Sequence, residues 1–212
     1  MKTSSLISRV VLAGVCVVIT LFVSLTGNTA WASRGGVSSV TASSTATALS
    51  ATEAEMLTFM REEEKLARDV YLAMYQKWSA VIFSSIASSE QKHMDTLKKM
   101  LDKYKLPDPV QPALGVFTNV DLQAKYDQLL ASGSQSYVDG LNVGATIEEI
   151  DMVDIQHAID VTTHLDVVNA YQSLLEGSKN HLRAYVDALA SQGVTYVPQF
   201  ISQEFYDAII GL

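Results

Sequence analysis

The sequence predicts an all-α fold, a four-helix bundle with a long crossover connection between helices two and three. Three observations predict it. From Thr52 onward, apolar residues recur every three or four positions over long stretches, the spacing of one helical face. No segment alternates apolar and polar residues between turn signals for long enough to build a sheet, and no repeat of solenoid period is present. Helix-breaking residues gather at Leu106-Pro107-Asp108-Pro109, Pro112, Gly133, Gly140 and Gly193, which cuts the pattern into long helices with one wide gap.

The chain begins with a targeting pattern. Lys2 and Arg9 bracket a basic region, Val10 to Leu25 is almost wholly apolar, and Ala30-Trp31-Ala32 places small residues where a signal peptidase reads. Residues 1–32 are expected to be a signal peptide cleaved after Ala32, giving an exported protein, periplasmic or extracellular, with no membrane span after cleavage. A retained N-terminal anchor is the rival reading, since the run is about long enough to cross a thinned bilayer. Residues 33–51 are rich in Ser, Thr, Ala and Gly, carry one charge at Arg34, and read as a flexible linker. Residues 52–212 are the predicted folded domain.

Within that domain, Thr52-Glu53-Ala54-Glu55 fits a capping box for helix one, which runs to about Trp78 with Met56, Met60, Ala67, Val70, Tyr71 and Met74 on one stripe. Helix two runs from near Ser79 to Tyr104, with Phe83, Ile86, Ala87, Met94, Leu97 and Leu101 on one face. Val110 to Val120 is an extended connection, and Asp121 caps a short helix reaching Leu130. Gly133 and Gly140 break the chain, and helix three starts around Thr146, with Glu149 completing its cap. Asp166 caps helix four, whose stripe is Tyr171, Leu174, Leu175, Leu182, Tyr185 and Leu189, until Gly193 stops it. Tyr196, Pro198, Phe200 and a last short helix from Ser202 cover one end. Two helical hairpins joined by a long middle connection have the connectivity of ferritin-like bundles rather than the simple up-down order.

Composition narrows the chemistry. The net charge is -8, and cleavage removes Lys2 and Arg9 but no acid, taking it to -10. No basic face is available to neutralise phosphates, so nucleic acid is excluded as a partner, and a basic membrane-surface helix with it. The single cysteine, Cys16, lies inside the expected signal peptide, so the mature chain has no disulfide, no thiolate metal ligand and no thiol chemistry. The nucleotide-binding and nucleophile-elbow motifs are absent.

Polar residues that interrupt apolar stripes are the informative ones, because burying an unpaired charge costs several kcal/mol. Glu90 and His93 continue the stripe of helix two at i, i+3, the pairing that di-metal carboxylate bundles use; a surface pair has the same spacing. Helix three places Asp151 and Asp154 among Ile147, Ile150 and Ala158, with Glu148 one turn before Asp151. Apolar residues on its other side leave the inward face undecided. His181 follows Tyr171, Leu174 and Ser178 toward the core, where it is either a ligand or a histidine satisfied by a carbonyl. In the run Glu62-Glu63-Glu64, either Glu63 or Glu64 faces inward and Glu62 points away. Facing helices lie roughly 8–10 Å apart, so carboxylates and imidazoles from all four can surround one or two cations.

Glu64-Lys65-Leu66-Ala67-Arg68-Asp69-Val70-Tyr71 resembles the first-helix signature of rubrerythrin-type proteins. The Glu63–Tyr71 run, Ser89–Met94, Gly144–Ile155, Gly177–Arg183 and Tyr196–Gln199 together resemble the DUF2202 family of the ferritin-like superfamily, over about residues 53–208. The resemblance implies a carboxylate/histidine site at the bundle centre for iron or manganese. Carried over residue by residue, its ligands are Glu64, Glu90, His93, Glu148, Asp151 and His181. Ser178 stands where the pattern has a carboxylate, which leaves a dinuclear and a mononuclear site both open, with Asp151 or Asp154 as substitutes for the missing charge. Tyr71 and Tyr185 are candidate hydrogen-bond donors to the ligands.

The resemblance implies an exported metal-binding protein that oxidises its metal or reacts with peroxide or oxygen, as a di-iron or di-manganese oxidoreductase; it assigns no substrate. The alternative is a non-catalytic, metal-free bundle serving as an envelope-associated binding or structural module. Hydrolysis by paired carboxylates is a third and weaker reading. Metal ions are the expected partners, and a homodimer stays open.

Overall fold

The computed structural model describes residues 48–211; the expected signal peptide, Cys16 and most of the expected linker lie outside the described residues. Six helices and no strand are present among the described residues. They are α1 (Ala51–Trp78), α2 (Val81–Tyr104), α3 (Val120–Gly133), α4 (Tyr137–Val161), α5 (Leu165–Ser191) and α6 (Gln203–Ile210). None is long and apolar enough to cross a membrane.

The four long helices form the bundle, with α4 and α5 taking the places of predicted helices three and four. Short links make α1–α2 and α4–α5 antiparallel hairpins; α1 also packs on α4, and α2 on α5. The crossover fixes how the hairpins meet. From the end of α2 the chain runs along α1, where Arg61 grips Asp108 through two hydrogen bonds of 3.1 and 3.2 Å. At the far end of α1 the Trp78 indole donates to the Gly133 carbonyl (3.1 Å). At the near end, Glu53 accepts from the Thr163 amide just past α4 (2.7 Å). α4 therefore runs antiparallel to α1. The core of Leu57, Met60, Phe83, Leu97, Leu141 and Leu182 is closed to solvent along the bundle axis.

Several helix starts differ from the sequence expectation, each for a local reason. Ser50, not Thr52, caps α1, because Ser50 and Glu53 form the reciprocal box and Glu53 is then spent on the α4–α5 turn. Asn119 rather than Asp121 caps α3. Ser136 caps α4, so the helix starts nine residues before Thr146 and runs straight through Gly140. Asp166 lies inside the first turn of α5, held by Tyr104 and Lys103, and His164 is at the N-cap. Gly140 and Gly144 are in α4 because of what faces them. A side chain at Gly140 would crowd Trp78 and Phe83, and a Cβ at Gly144 would fall well inside contact distance of the buried Tyr185 ring. Tyr185 is pinned between Tyr71 and Phe83, with ring centroids 5.4 and 6.0 Å away. Gly144→Ala is therefore expected to destabilise the fold by about 1–3 kcal/mol despite the better helix propensity of alanine; urea denaturation checks it, and an unchanged midpoint would contradict the packing argument.

Buried acids away from the bundle axis are used to tie loops. Glu62 does point away from the axis, yet it is buried, accepting from the amides of Thr118 (2.6 Å) and Asn119 (3.0 Å). Asp69 pairs with Lys65 and Arg68 and accepts from the Gly115 amide (2.8 Å). Glu149 accepts from the Tyr196 hydroxyl and the amides of Gln199, Phe200 and Ile201. Each of these carboxylates meets donors fixed by the backbone, the condition under which a buried charge is stable.

Candidate metal centre

At the bundle axis the acids are arranged differently. Glu64 from α1, Glu90 and His93 from α2, Glu148 and Asp151 from α4, and His181 from α5 are all buried. The three-residue spacing of Glu90 and His93 puts both on the inner face of α2, and the same spacing does so for Glu148 and Asp151 on α4. Of the two inward candidates on α1, Glu64 enters the cluster and Glu63 turns toward Lys125.

Two ligand-like triads result, each with its donor atoms within 4.8 Å of one another: Glu64, Glu90 and His93, and Glu90, Glu148 and His181. Glu90 belongs to both. Its Oε2 lies 2.8 Å from His93 Nδ1 and its Oε1 lies 2.8 Å from His181 Nδ1. His93 Nδ1 is also 3.2 Å from Glu64 Oε2, and His181 Nδ1 is 3.3 Å from Glu148 Oε2. The two imidazoles are 5.5 Å apart, tilted by 30°. Asp151 stands beside both triads without belonging to either; its Oδ2 accepts from Ser178 Oγ at 2.5 Å.

The cluster is hydrogen-bonded only in part. Glu64 Oε1, Glu90 Oε1, Asp151 Oδ1 and His181 Nδ1 are buried without a hydrogen-bond partner, although Glu90 Oε1 and His181 Nδ1 are close neighbours. Four carboxylates and two imidazoles with no thiolate are the donor set that iron and manganese accept.

Electrostatics describe the metal-free state. Burial pushes the Glu90 carboxyl up, but the two histidines outweigh it and hold Glu90 at about 2. Burial pulls His93 down, but Glu64 and Glu90 raise it to about 11; Glu148 and Glu90 likewise raise His181 to about 10. Burial lifts Glu64 to about 8 against the pull of His93. Glu148 and Asp151 are raised by burial and by the acids around them.

Supporting contacts fix the ligand-like groups. The Tyr71 hydroxyl donates to Glu148 Oε1 at 2.5 Å, whereas the Tyr185 hydroxyl is buried without a partner. Ser178 holds Asp151 from α5. Sequence reasoning missed Gly177: a Cβ there would lie 2.5 Å from His93 Nε2, so the glycine makes room for the imidazole across the α2–α5 contact. Its place immediately before Ser178 is the only sequence signal for that role. Asp154, a substitute ligand in the sequence reading, is adjacent to Glu63 and outside both triads.

Comparison with known proteins gives concordant results. Residues 53–211 match a family described as "Uncharacterized protein domain (DUF2202)". The chain is 49% identical over 163 residues to Uncharacterized protein MJ0754 of Methanocaldococcus jannaschii, covering 76% of this chain and 88% of that protein. The crystal structure of hypothetical protein MJ0754 from Methanococcus jannaschii matches with a TM-score of 0.77 at 48% identity, covering 78% of this chain and 95% of that chain. The likeness takes in both hairpins and the crossover, and the chain belongs to the DUF2202 family.

Proposed function

We propose that this protein is a ferritin-like metal-binding bundle that holds two iron or manganese ions between Glu64, Glu90, His93, Glu148, Asp151 and His181. The observation that carries the reading is the pair of triads sharing Glu90, with buried donor atoms left unpartnered around them. Glu90, with one oxygen facing each imidazole, would be shared between the two ions. Glu64 with His93 serves one ion and Glu148 with His181 the other. Asp151, steered by Ser178, supplies the carboxylate that Ser178 itself lacks. Tyr71 orients Glu148, and the surrounding core excludes water. Iron or manganese bound there would supply redox chemistry toward oxygen or peroxide. On the N-terminal reading, the protein does this outside the cytoplasm after export.

Elemental analysis of protein purified without chelator, beside a Glu90→Ala/His93→Ala variant, tests the assignment. About two equivalents of iron or manganese, lost in the variant, are expected for a bridged pair. One equivalent would reduce the centre to a single ion, and none after reconstitution would refute it. A metal-free structural network has one observation in its favour, the compensation of the Glu90 charge by two imidazoles. The two readings differ under heating. A hundredfold excess of Mn(II) over its Kd is expected to stabilise a binding protein by about 2.7 kcal/mol, reversed by chelator, whereas a structural network responds to neither.

A further inference from the structure

Glu63 is the exception among the buried acids outside the cluster. It is 3% exposed, yet its Oε2 has no hydrogen-bond partner; its Oε1 has a 3.4 Å contact with the half-exposed Lys125 of α3, and its other polar neighbour is the Asp154 carboxyl. Glu62, Asp69 and Glu149 are each met by backbone amides; Glu63 is met by none. A buried carboxylate held so loosely costs stability without tying any loop, which calls for another use.

Its surroundings indicate that use. Glu63, Lys125 and Asp151 line a narrow cleft of about 10 Å3, room for about one water, walled by Leu66, Ala67 and Ile147. Lys125 stands at the outer end. Asp151 stands at the inner end, 4% exposed, with Oδ1 unpartnered, and it feels the charges of Glu64, Glu148 and Glu90. The half-buried Asp154 adds a second carboxyl within hydrogen-bonding reach of Glu63. The cleft thus brings the half-exposed Lys125, Glu63 and the cluster carboxylate Asp151 into one lining.

We propose that this cleft is the entrance by which a divalent cation reaches the cluster, with Glu63 as the transit carboxylate and Lys125 as the counter-ion that the arriving cation displaces. The proposal rests on the metal-binding reading above. Glu63 takes up the cation as its contact with Lys125 opens, passes it to the free Asp151 oxygen, and recovers its contact with Lys125 once the cation has moved inward. Glu63 is a way station, so it controls the rate of loading and not the final content.

The test is stopped-flow uptake of Co(II), followed by its visible absorption, with elemental analysis at the end point. Glu63→Gln is expected to slow uptake about tenfold and Lys125→Met to accelerate it, both reaching wild-type occupancy. Lys125 is half-exposed, so its variant keeps the test open should Glu63→Gln not fold. Unchanged rates in both variants, with a wild type that loads, would overturn the entrance and leave the metal site standing. A Glu63→Gln protein that ends with reduced occupancy would make Glu63 a ligand and also overturn it. A wild type that takes up no Co(II) would refute the metal reading itself.

Discussion

Between pH 6 and pH 7 the overall constant for loading the metal-free centre with its two Mn(II) ions is expected to rise at least about a thousandfold, with at least about three protons released per loaded centre. The sign follows from the cluster. A ligand must be deprotonated to bind, and near neutrality His93 (about 11), His181 (about 10) and Glu64 (about 8) each hold a proton in the metal-free state. Each displaced proton contributes about tenfold in affinity per pH unit. Glu90, held at about 2 by the imidazoles, is already ionised and contributes no slope. Above pH 8 Glu64 loses its proton unaided, and the slope should fall by about one proton. Titrations in weakly buffered solution with a pH indicator count the protons directly, and a release below one would exclude both imidazoles as ligands.

The metal-free fold should respond in the opposite direction. His93 and His181 have folded-state values raised above the ordinary 6.5, so their contribution to stability is complete below pH 6.5 and is lost as pH rises through about 10 and 11. Alkali therefore weakens the empty bundle while strengthening metal binding. A metal-free structural network has only the first of these behaviours.

The parts of the centre legible in the sequence were those that repeat within one helix. Glu90 with His93, and Glu148 with Asp151, stand at a spacing that helical geometry converts into a shared face, on or beside apolar stripes. Less legible were choices decided by residues far along the chain. Glu62, Glu63 and Glu64 are all buried, yet one meets the start of α3, one Lys125 and one His93, and no local pattern in three adjacent glutamates separates those targets. The beginning of α4 was hidden for the same reason. Gly140 read as a chain break by propensity, whereas Trp78 and Phe83, on other helices, make it a position where a helix needs no side chain, as Tyr185 does at Gly144. Thr146 and Glu149 looked like a cap because the sequence does not show that Glu149 is claimed by the C-terminal segment.

That claim gives the largest expected effect on stability. Glu149→Ala should destabilise the fold by about 3–5 kcal/mol while leaving metal content unchanged. Glu149 is fully buried and accepts four hydrogen bonds, from Tyr196 Oη (2.7 Å), Gln199 N (2.8 Å), Phe200 N (2.6 Å) and Ile201 N (3.1 Å). Truncation removes a carboxylate and strands all four donors, and the Tyr196 hydroxyl and its ring contact with Tyr206 lose their anchor. The tail from Tyr196 through α6 should then detach, exposing its donors to water and limiting the cost to that range. For a domain of this size the loss corresponds to a fall of about 10 °C in Tm. Glu148→Ala, one residue earlier, supplies the contrast. Its carboxylate faces His181 and Tyr71, so metal content should fall while the tail stays attached. Elemental analysis and thermal denaturation of the two variants side by side separate the roles. If Glu149→Ala lost metal and Glu148→Ala retained it, the assignment of inward and outward faces on α4 would be reversed.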